Sequence, residues 1–268
     1  MRLKTIHNAT ELVDVIHQVG FLPLLDSGIG GYSAEELVDD DCRYVVYPDG
    51  GWDWPLWKWK GPVTTEGGVV YGKFFDKKAG FIAQEWWPDF MNWRRATHPA
   101  PAPGSIEETI VLTLREHGSL ITRELRAACG FTGSNAPMKP EQNRVFPTPA
   151  ERKASRPAGN LRSRFDGYVT RLQMSCHLVT QDFVYPRDRH GREYGWGWAL
   201  LTTPEQLLGR EACRCDRTPQ ESLERMMAHM AGILPRATEQ AIQSTRTPRA
   251  KPMVCFWASL TLPSLMLM

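Results

Sequence analysis

The chain has 268 residues with 32 Lys and Arg against 30 Asp and Glu, a formal net charge of +2, which excludes disorder driven by self-repulsion. With 42% hydrophobic and 23% charged residues it can build a sizeable core in one or two domains, and its 20 prolines and 22 glycines follow no collagen-like or low-complexity pattern. Six cysteines (Cys42, Cys129, Cys176, Cys213, Cys215, Cys255) show neither zinc-type pairing nor a disulfide framework.

Taken from the start, Asn8 is placed to cap a first helix in which Leu12, Ile16 and Val19 share one face, and Gly20 ends it. Glu11, Asp14, His17 and Gln18 interrupt the apolar positions of this stretch, so no export signal is read and a cytoplasmic location is expected. Residues 26–53 hold eight acids opposed only by Arg43 and run into Trp52, Trp54, Trp57 and Trp59. That pattern reads as an acidic loop with aromatic anchors. The alternation from Val70 to Phe75 predicts a strand, Asp76 to Gly80 a turn, and Phe81 to Ala83 a second strand. A helix carrying Trp86, Trp87, Phe90 and Trp93 follows. The prolines at 99, 101 and 103 form a semi-rigid linker, and a domain boundary is placed at 99–104.

Beyond the linker, Ser105 with Glu108 three residues on forms a capping box for a helix whose buried stripe is Ile106, Ile110, Val111 and Leu114. Gly118 ends it, and Thr122 starts a short second helix closed by Gly130, a helix-turn-helix arrangement. Residues 131–158 read as an insertion without sustained period. A third helix presents Leu161, Phe165, Tyr168, Val169 and Leu172 on one side, with Ser163, Gly167, Thr170 and Met174 opposite and Arg164 and Arg171 on the flank. Residues 177–185 and 194–201 predict two strands around a turn at Asp188 to Gly191. Helix, helix, helix and hairpin in that order define a winged helix over 105–203, preceded by a smaller Trp-rich α/β segment at 1–98, an α+β protein in all. Residues 204–252 read as a helical extension. The apolar tail 253–268 is interrupted by Pro263 and shorter than the roughly 20 residues a membrane span needs, so no membrane association is expected.

Charge is segregated along the chain: residues 139–192 carry eleven Lys and Arg against five Asp and Glu. Clustered bases, rather than total charge, supply salt-dependent affinity for a duplex. Arg162, Arg164 and Arg171 on the third helix and Arg187, Arg189, His190 and Arg192 on the wing are therefore the candidate DNA-binding residues, with double-stranded DNA as the expected partner.

Residues 69–82, followed by Glu85-Trp86, together with Leu172-Gln173-Met174, Asp182-Phe183 and Tyr194-Gly195-Trp196, resemble the AlkZ-related proteins, distant relatives of the AlkZ and YcaQ DNA glycosylases. The resemblance covers roughly residues 3–209. It implies tandem winged helices and a monofunctional glycosylase acting on alkylated or crosslinked bases, with a Gln-x-Gln or Gln-x-Asp motif positioning the attacking water. That triplet is missing: Gln84-Glu85-Trp86 shares only its first residue, and Lys77-Lys78-Ala79 stands where the relatives carry a His-Glu-Ala-like segment.

Glycosidic cleavage needs a carboxylate or amide to orient water and aromatic faces to hold an extruded base. Glu85, Asp89 and Asp76 are the candidate catalytic carboxylates and Trp86, Trp87 and Trp93 the candidate stacking rings, although tryptophans at helical spacing are also what a core requires. Gln173 and Gln181 fit surface hydrogen bonding on a helix and a strand. No phosphate-binding loop, nucleophile elbow, zinc-type histidine pair or dinucleotide fingerprint is present, so neither cofactor nor metal is expected. A non-catalytic DNA-binding or regulatory protein of the same fold, and a protein-interaction module using the Trp-rich acidic part, remain the alternatives.

Overall fold

A computed structural model describes residues 3–26, 28–48, 51–98, 100–131, 156–191, 193 and 195–234, with only the backbone described over 156–163. The expected tail 253–268, most of the 131–158 insertion, and residues Arg192 and Tyr194 lie outside them. The protein is mixed α+β, built around a six-stranded sheet.

Local chemistry sets the first elements. Asn8 accepts a hydrogen bond from the Glu11 N–H at 3.0 Å and starts α1 (Ala9–Val19). Gly20, at φ +76°, ends that helix where a side chain would be both strained and blocked, since a Cβ there would stand 2.8 Å from Trp86 Cδ1. β1 (Phe21–Pro23) then pairs antiparallel with β5 (Lys78–Ala83), which pairs with β4 (Val69–Phe75). The β4–β5 turn is tighter than the pattern suggests: Asp76 and Lys77 take positive φ, the geometry of a two-residue hairpin turn, and β5 begins at Lys78.

The stretch read as an acidic loop is largely built. Ser33 caps the single-turn helix α2 (Ala34–Leu37), Asp39 caps α3 (Asp40–Arg43), and β2 (Val45–Val46) pairs with β3 (Trp52–Asp53). Trp57 and Trp59 are on a helix, α4 (Pro55–Glu66), which starts at a proline whose fixed φ suits that position and continues through Gly61-Pro62. After a 3-10 turn at Gln84–Trp86 comes α5 (Trp87–Thr97), whose Trp87, Phe90 and Trp93 are buried with Phe74 and Phe81 in the first of two cores. Aromatic side chains of this size bury about 150–250 Å² each and dominate such a core.

The second core joins α6 (Ile106–His117), α7 (Thr122–Ala128) and α8 (Arg156–Met174) through Ile110, Val111, Leu114, Leu125, Phe165, Val169 and Leu172. Ser105 accepts from the Glu108 N–H at 3.1 Å, but the Glu108 carboxylate takes its bond from Gly104 N rather than from Ser105. A short strand, β6 (Leu120–Ile121), separates α6 from α7 and pairs with β8 (Trp198–Thr202), which in turn pairs with β7 (Val179–Val184). β7 and β8 are shorter than the sequence suggests, because the connecting loop 185–197 holds both the turn at Asp188, closed by Gly191 N to Asp188 O at 2.9 Å, and a β-bridge between Arg187 and Glu193.

The sheet crosses the proline-rich linker: Tyr71 of β4 is in register with Thr180 of β7. Gln173 explains how that seam is held. It is buried, not a surface residue, and its Oε1 accepts from Lys73 N at 2.7 Å. The end of the chain folds back on the first core. After α9 (Pro204–Leu208), Thr218 and Glu221 form a full capping box for α10 (Pro219–Ile233), and Met226, Met230 and Ile233 are buried beside α5.

Candidate nucleic-acid interface

The sequence-derived carboxylates are not gathered in one place. Asp76 sits in the β4–β5 turn and Glu85 just past the other end of β5, six strand residues away, roughly 20 Å at the usual rise. Glu85 is half exposed and meets His17 Nδ1 at 3.1 Å. The His17 ring loses hydration by partial burial, yet its Nε2 bond to Gly67 O (2.8 Å) and the Glu85 carboxylate outweigh that and raise its pKa.

Asp89 is fully buried. One oxygen accepts from Arg217 Nε at 2.6 Å, the other from Arg217 Nη2 at 3.0 Å and from Arg225 Nη1. Burial alone would raise its pKa, but Arg217, Ser222 and Arg225 outweigh it and hold the carboxyl below the usual range. Asn92 Nδ2 bonds Arg217 O and Ser222 Oγ beside it. This knot ties α5 to α10.

The three tryptophans proposed as stacking rings are core. Trp87 and Trp93 are buried among Phe74 and Phe90. Trp86 is buried too, with the His229 ring stacked on it at 4.3 Å and the Arg225 guanidinium 4.0 Å from its centroid. In this arrangement none of these rings offers an open face to an extruded base.

Of the basic candidates, Arg171 donates to Glu107 from Nε (3.2 Å) and Nη2 (2.5 Å) and lies over the Tyr168 ring. Arg187 donates to Glu193 at 3.1 Å. Arg189 and His190 are exposed neighbours on the 185–197 loop, and Arg164 is exposed on α8. The backbone of Arg162 lies in the same helix, whereas Arg192 is outside the described residues.

A different set of aromatic residues converges. A cleft of about 670 Å³ opens where the β2–β3 hairpin and α4 face the base of the 185–197 loop, lined by Trp52, Trp54, Trp57, Tyr185 and Trp196, with Asp53, Lys58 and Glu193 among its polar walls. Trp52 and Trp196 are 60% and 57% exposed, high values for a side chain that is mostly buried on average. Trp54 stacks on Trp57 at 5.4 Å, and Trp196 meets Trp57 edge-on at 5.1 Å. The Trp57 indole N–H donates to Trp196 O at 2.9 Å, fixing the loop against α4.

The polar groups here are unequally engaged. Asp53 accepts from Lys58, from Trp54 N at 2.9 Å and from Tyr47 Oη at 3.3 Å. Burial works against its charge, but these bonds lower its pKa on balance. Glu193 is half exposed and meets only Arg187 among the described residues. Tyr185 Oη is buried and makes no hydrogen bond among them.

Behind the Trp57 ring lies Lys60, 1% exposed, its Nζ 3.4 Å from the Trp57 centroid and 3.7 Å from that of Phe183. Among the described residues no ion pair or side-chain hydrogen bond reaches that nitrogen. Burial pushes its pKa down to about 7.

The sequence shows the density of tryptophan at 52–59 but not which rings stay open. Tyr185, Glu193 and Trp196 enter from more than a hundred residues away, a convergence no spacing encodes. Among the described residues, no group of His, Cys, Asp and Glu is placed to hold a metal, and no helix is long and apolar enough to cross a membrane.

These elements define a mixed α+β protein in which one loop carries exposed basic side chains and, at its base, a wall of an aromatic-lined cleft. The chain belongs to the AlkZ-related family: the family described as AlkZ related matches residues 6–246, a span that takes in both cores, the cleft and α10. Neither among curated proteins nor among solved structures is there a significant match.

Proposed function

We propose that this protein grips duplex DNA through a winged helix formed by residues 105–203 and holds one unstacked base in the aromatic cleft, where an alkylated base is excised. The order α6, β6, α7, α8, β7, β8, with β8 between β7 and β6, supports the winged-helix reading. Family membership supports a link to AlkZ-type chemistry.

The observation that carries the proposal is the double character of the 185–197 loop. Its tip bears Arg187, Arg189 and His190, suited to phosphate contacts, while its base supplies Tyr185, Glu193 and Trp196 to the cleft. A base leaving the stack beside the wing would meet Trp52 and Trp196, the exposed rings of the cleft, with Trp57, covered by Trp54 and Lys60, forming the wall behind. A purine alkylated at N3 or N7 carries positive charge, which electron-rich indole faces and the carboxylates of Asp53 and Glu193 favour over a neutral base. Within the cleft, Glu193, paired with Arg187 through one oxygen, is the less committed carboxylate and the one assigned to orient water, since Asp53 is held by Lys58, Tyr47 and the Trp54 N–H. Asp89 acts as a structural clamp in this reading, and Trp86, Trp87 and Trp93 as core.

The test is binding of alkylated and unmodified duplexes across a salt series, with release of free base measured in parallel. The expected result is affinity falling steeply with salt, a preference for alkylated duplex that Trp52→Ala and Trp196→Ala abolish, and base release lost in Glu193→Gln. Salt-sensitive binding with no base release from any lesion would leave a non-catalytic DNA-binding protein. No duplex binding at low salt would overturn the reading altogether.

A further inference from the structure

Among the described residues the Lys60 nitrogen meets two ring faces but no ion pair and no hydrogen-bond acceptor. A buried ammonium without a counter-ion costs several kcal/mol, and the two ring faces against it return only about 2 kcal/mol. A methionine in the same slot would fill the space between Trp57 and Phe183 at no such cost. Trp54, Trp57 and Lys60 follow one another at three-residue intervals, so the amine lies one indole away from the cleft, and that indole is also a cleft wall. Pro62, two residues on, removes a helical N–H and loosens α4 beside it.

We propose that Lys60 is a nucleophile that captures the aldehyde of a ring-opened deoxyribose left in the cleft after a base has departed, forming a Schiff base. The proposal rests on the reading that the cleft takes a nucleotide of DNA. Loss of a base leaves a sugar hemiacetal in equilibrium with its open-chain aldehyde. Capture requires the Trp57 indole to release Trp196 O and swing aside; the Lys60 Nζ lone pair then attacks C1′, the carbonyl π electrons pass to oxygen, and a proton moves from nitrogen to that oxygen. Loss of water from the carbinolamine gives the C=N bond, so amine and aldehyde become imine and water with no other reactant. At pH 7 about half of an amine titrating near 7 is unprotonated, whereas Lys58, its pKa raised by the hydrogen bond to Asp53, has less than about one part in a thousand free. Lys58 is thus an internal control two residues away.

The experiment exposes the full chain at pH 7 to borohydride with either a duplex bearing one abasic site or free 2-deoxyribose, maps reduced adducts by peptide mass spectrometry, and measures duplex binding separately. The expected result is an adduct at Lys60 exceeding that at Lys58 by at least about tenfold with both reagents. The protein–DNA adduct is lost in Lys60→Met, whose thermal melt reports that it is folded. Duplex bound but no adduct at Lys60 overturns this inference and leaves the DNA-binding reading standing. Labelling of Lys60 by deoxyribose without duplex binding upholds the reactive amine and overturns the DNA reading. Equal labelling of Lys58 and Lys60, or none at Lys60 with either reagent, refutes the nucleophile.

Discussion

Replacing Asp89 with Asn separates a structural from a catalytic role for this carboxylate. Asp89 is fully buried and receives a bidentate bond from Arg217 and a further bond from Arg225. Asparagine keeps the shape but removes the charge and turns one acceptor into a donor facing two guanidinium groups. A charge-assisted hydrogen bond contributes about 1.5–3 kcal/mol, and breaking a buried pair costs about 3–5 kcal/mol. Both arginines are nearly half exposed and can regain water, so we take the low end, about 3 kcal/mol. At about 2–4 °C per kcal/mol for a chain of this size, the melt should fall by roughly 6–12 °C. The loss has a defined pH window. The folded carboxyl titrates below its unfolded value, so its stabilisation is complete above roughly pH 5 and disappears as pH falls through the folded value. Thermal melts of both proteins from pH 8 to pH 3 should therefore show a constant gap that closes at the acid end. Limited proteolysis should show α10 released first, since the knot is its tie to α5. An Asp89→Asn protein that melts like wild type while losing base release would refute the clamp and restore Asp89 as a catalytic candidate.

The remaining predictions address the ions and the packing. In a DNA-binding salt series, Arg164→Ala and Arg189→Ala should each lower the log–log slope by about 1. Arg171→Ala should change it less, because Glu107 already neutralises that guanidinium, and Glu107→Gln should strengthen binding. His17→Gln should cost under about 1 kcal/mol, measurable by denaturant melts at pH 6 and smaller in alkaline buffer. The raised pKa makes the His17 contribution complete below about 6.5 and lost as pH rises through the folded value. Gly20→Ala should lower stability by about 1–3 kcal/mol, since φ is +76° and the new Cβ would press on Trp86; an unchanged melt would contradict the packing of that corner.

What the sequence reveals is what local chemistry decides. Asn8 and Gly20 bracket α1, Ser105 opens α6, and the alternation through Phe75 gives β4, because caps and period-two patterns act within a few residues. Where the pattern fails, the cause is equally specific. Gly61-Pro62 disguises α4 as a loop, the single-turn helices after Ser33 and Asp39 are too short to show a period, and β6 is two residues whose strand character comes only from pairing with β8. The cleft is hidden from the sequence for a different reason. Trp52, Trp57, Trp86 and Trp93 are the same residue type in similarly dense stretches, and only the approach of α10 to Trp86, and of the 185–197 loop to Trp57, decides which are core and which line a cleft. Gln173 shows the same limit, since its partner is a backbone N–H a hundred positions away.

The proposed site holds an unstacked base against Trp52 and Trp196. The direct measurement is photocrosslinking of a duplex carrying a single 5-iodo-2′-deoxyuridine at a mismatch, with the crosslinked residues identified by mass spectrometry. Crosslinks are expected at Trp52, Trp196 or Tyr185. Crosslinks at Trp86 or Trp93, or a bound duplex that crosslinks to no residue of the cleft, would contradict this placement.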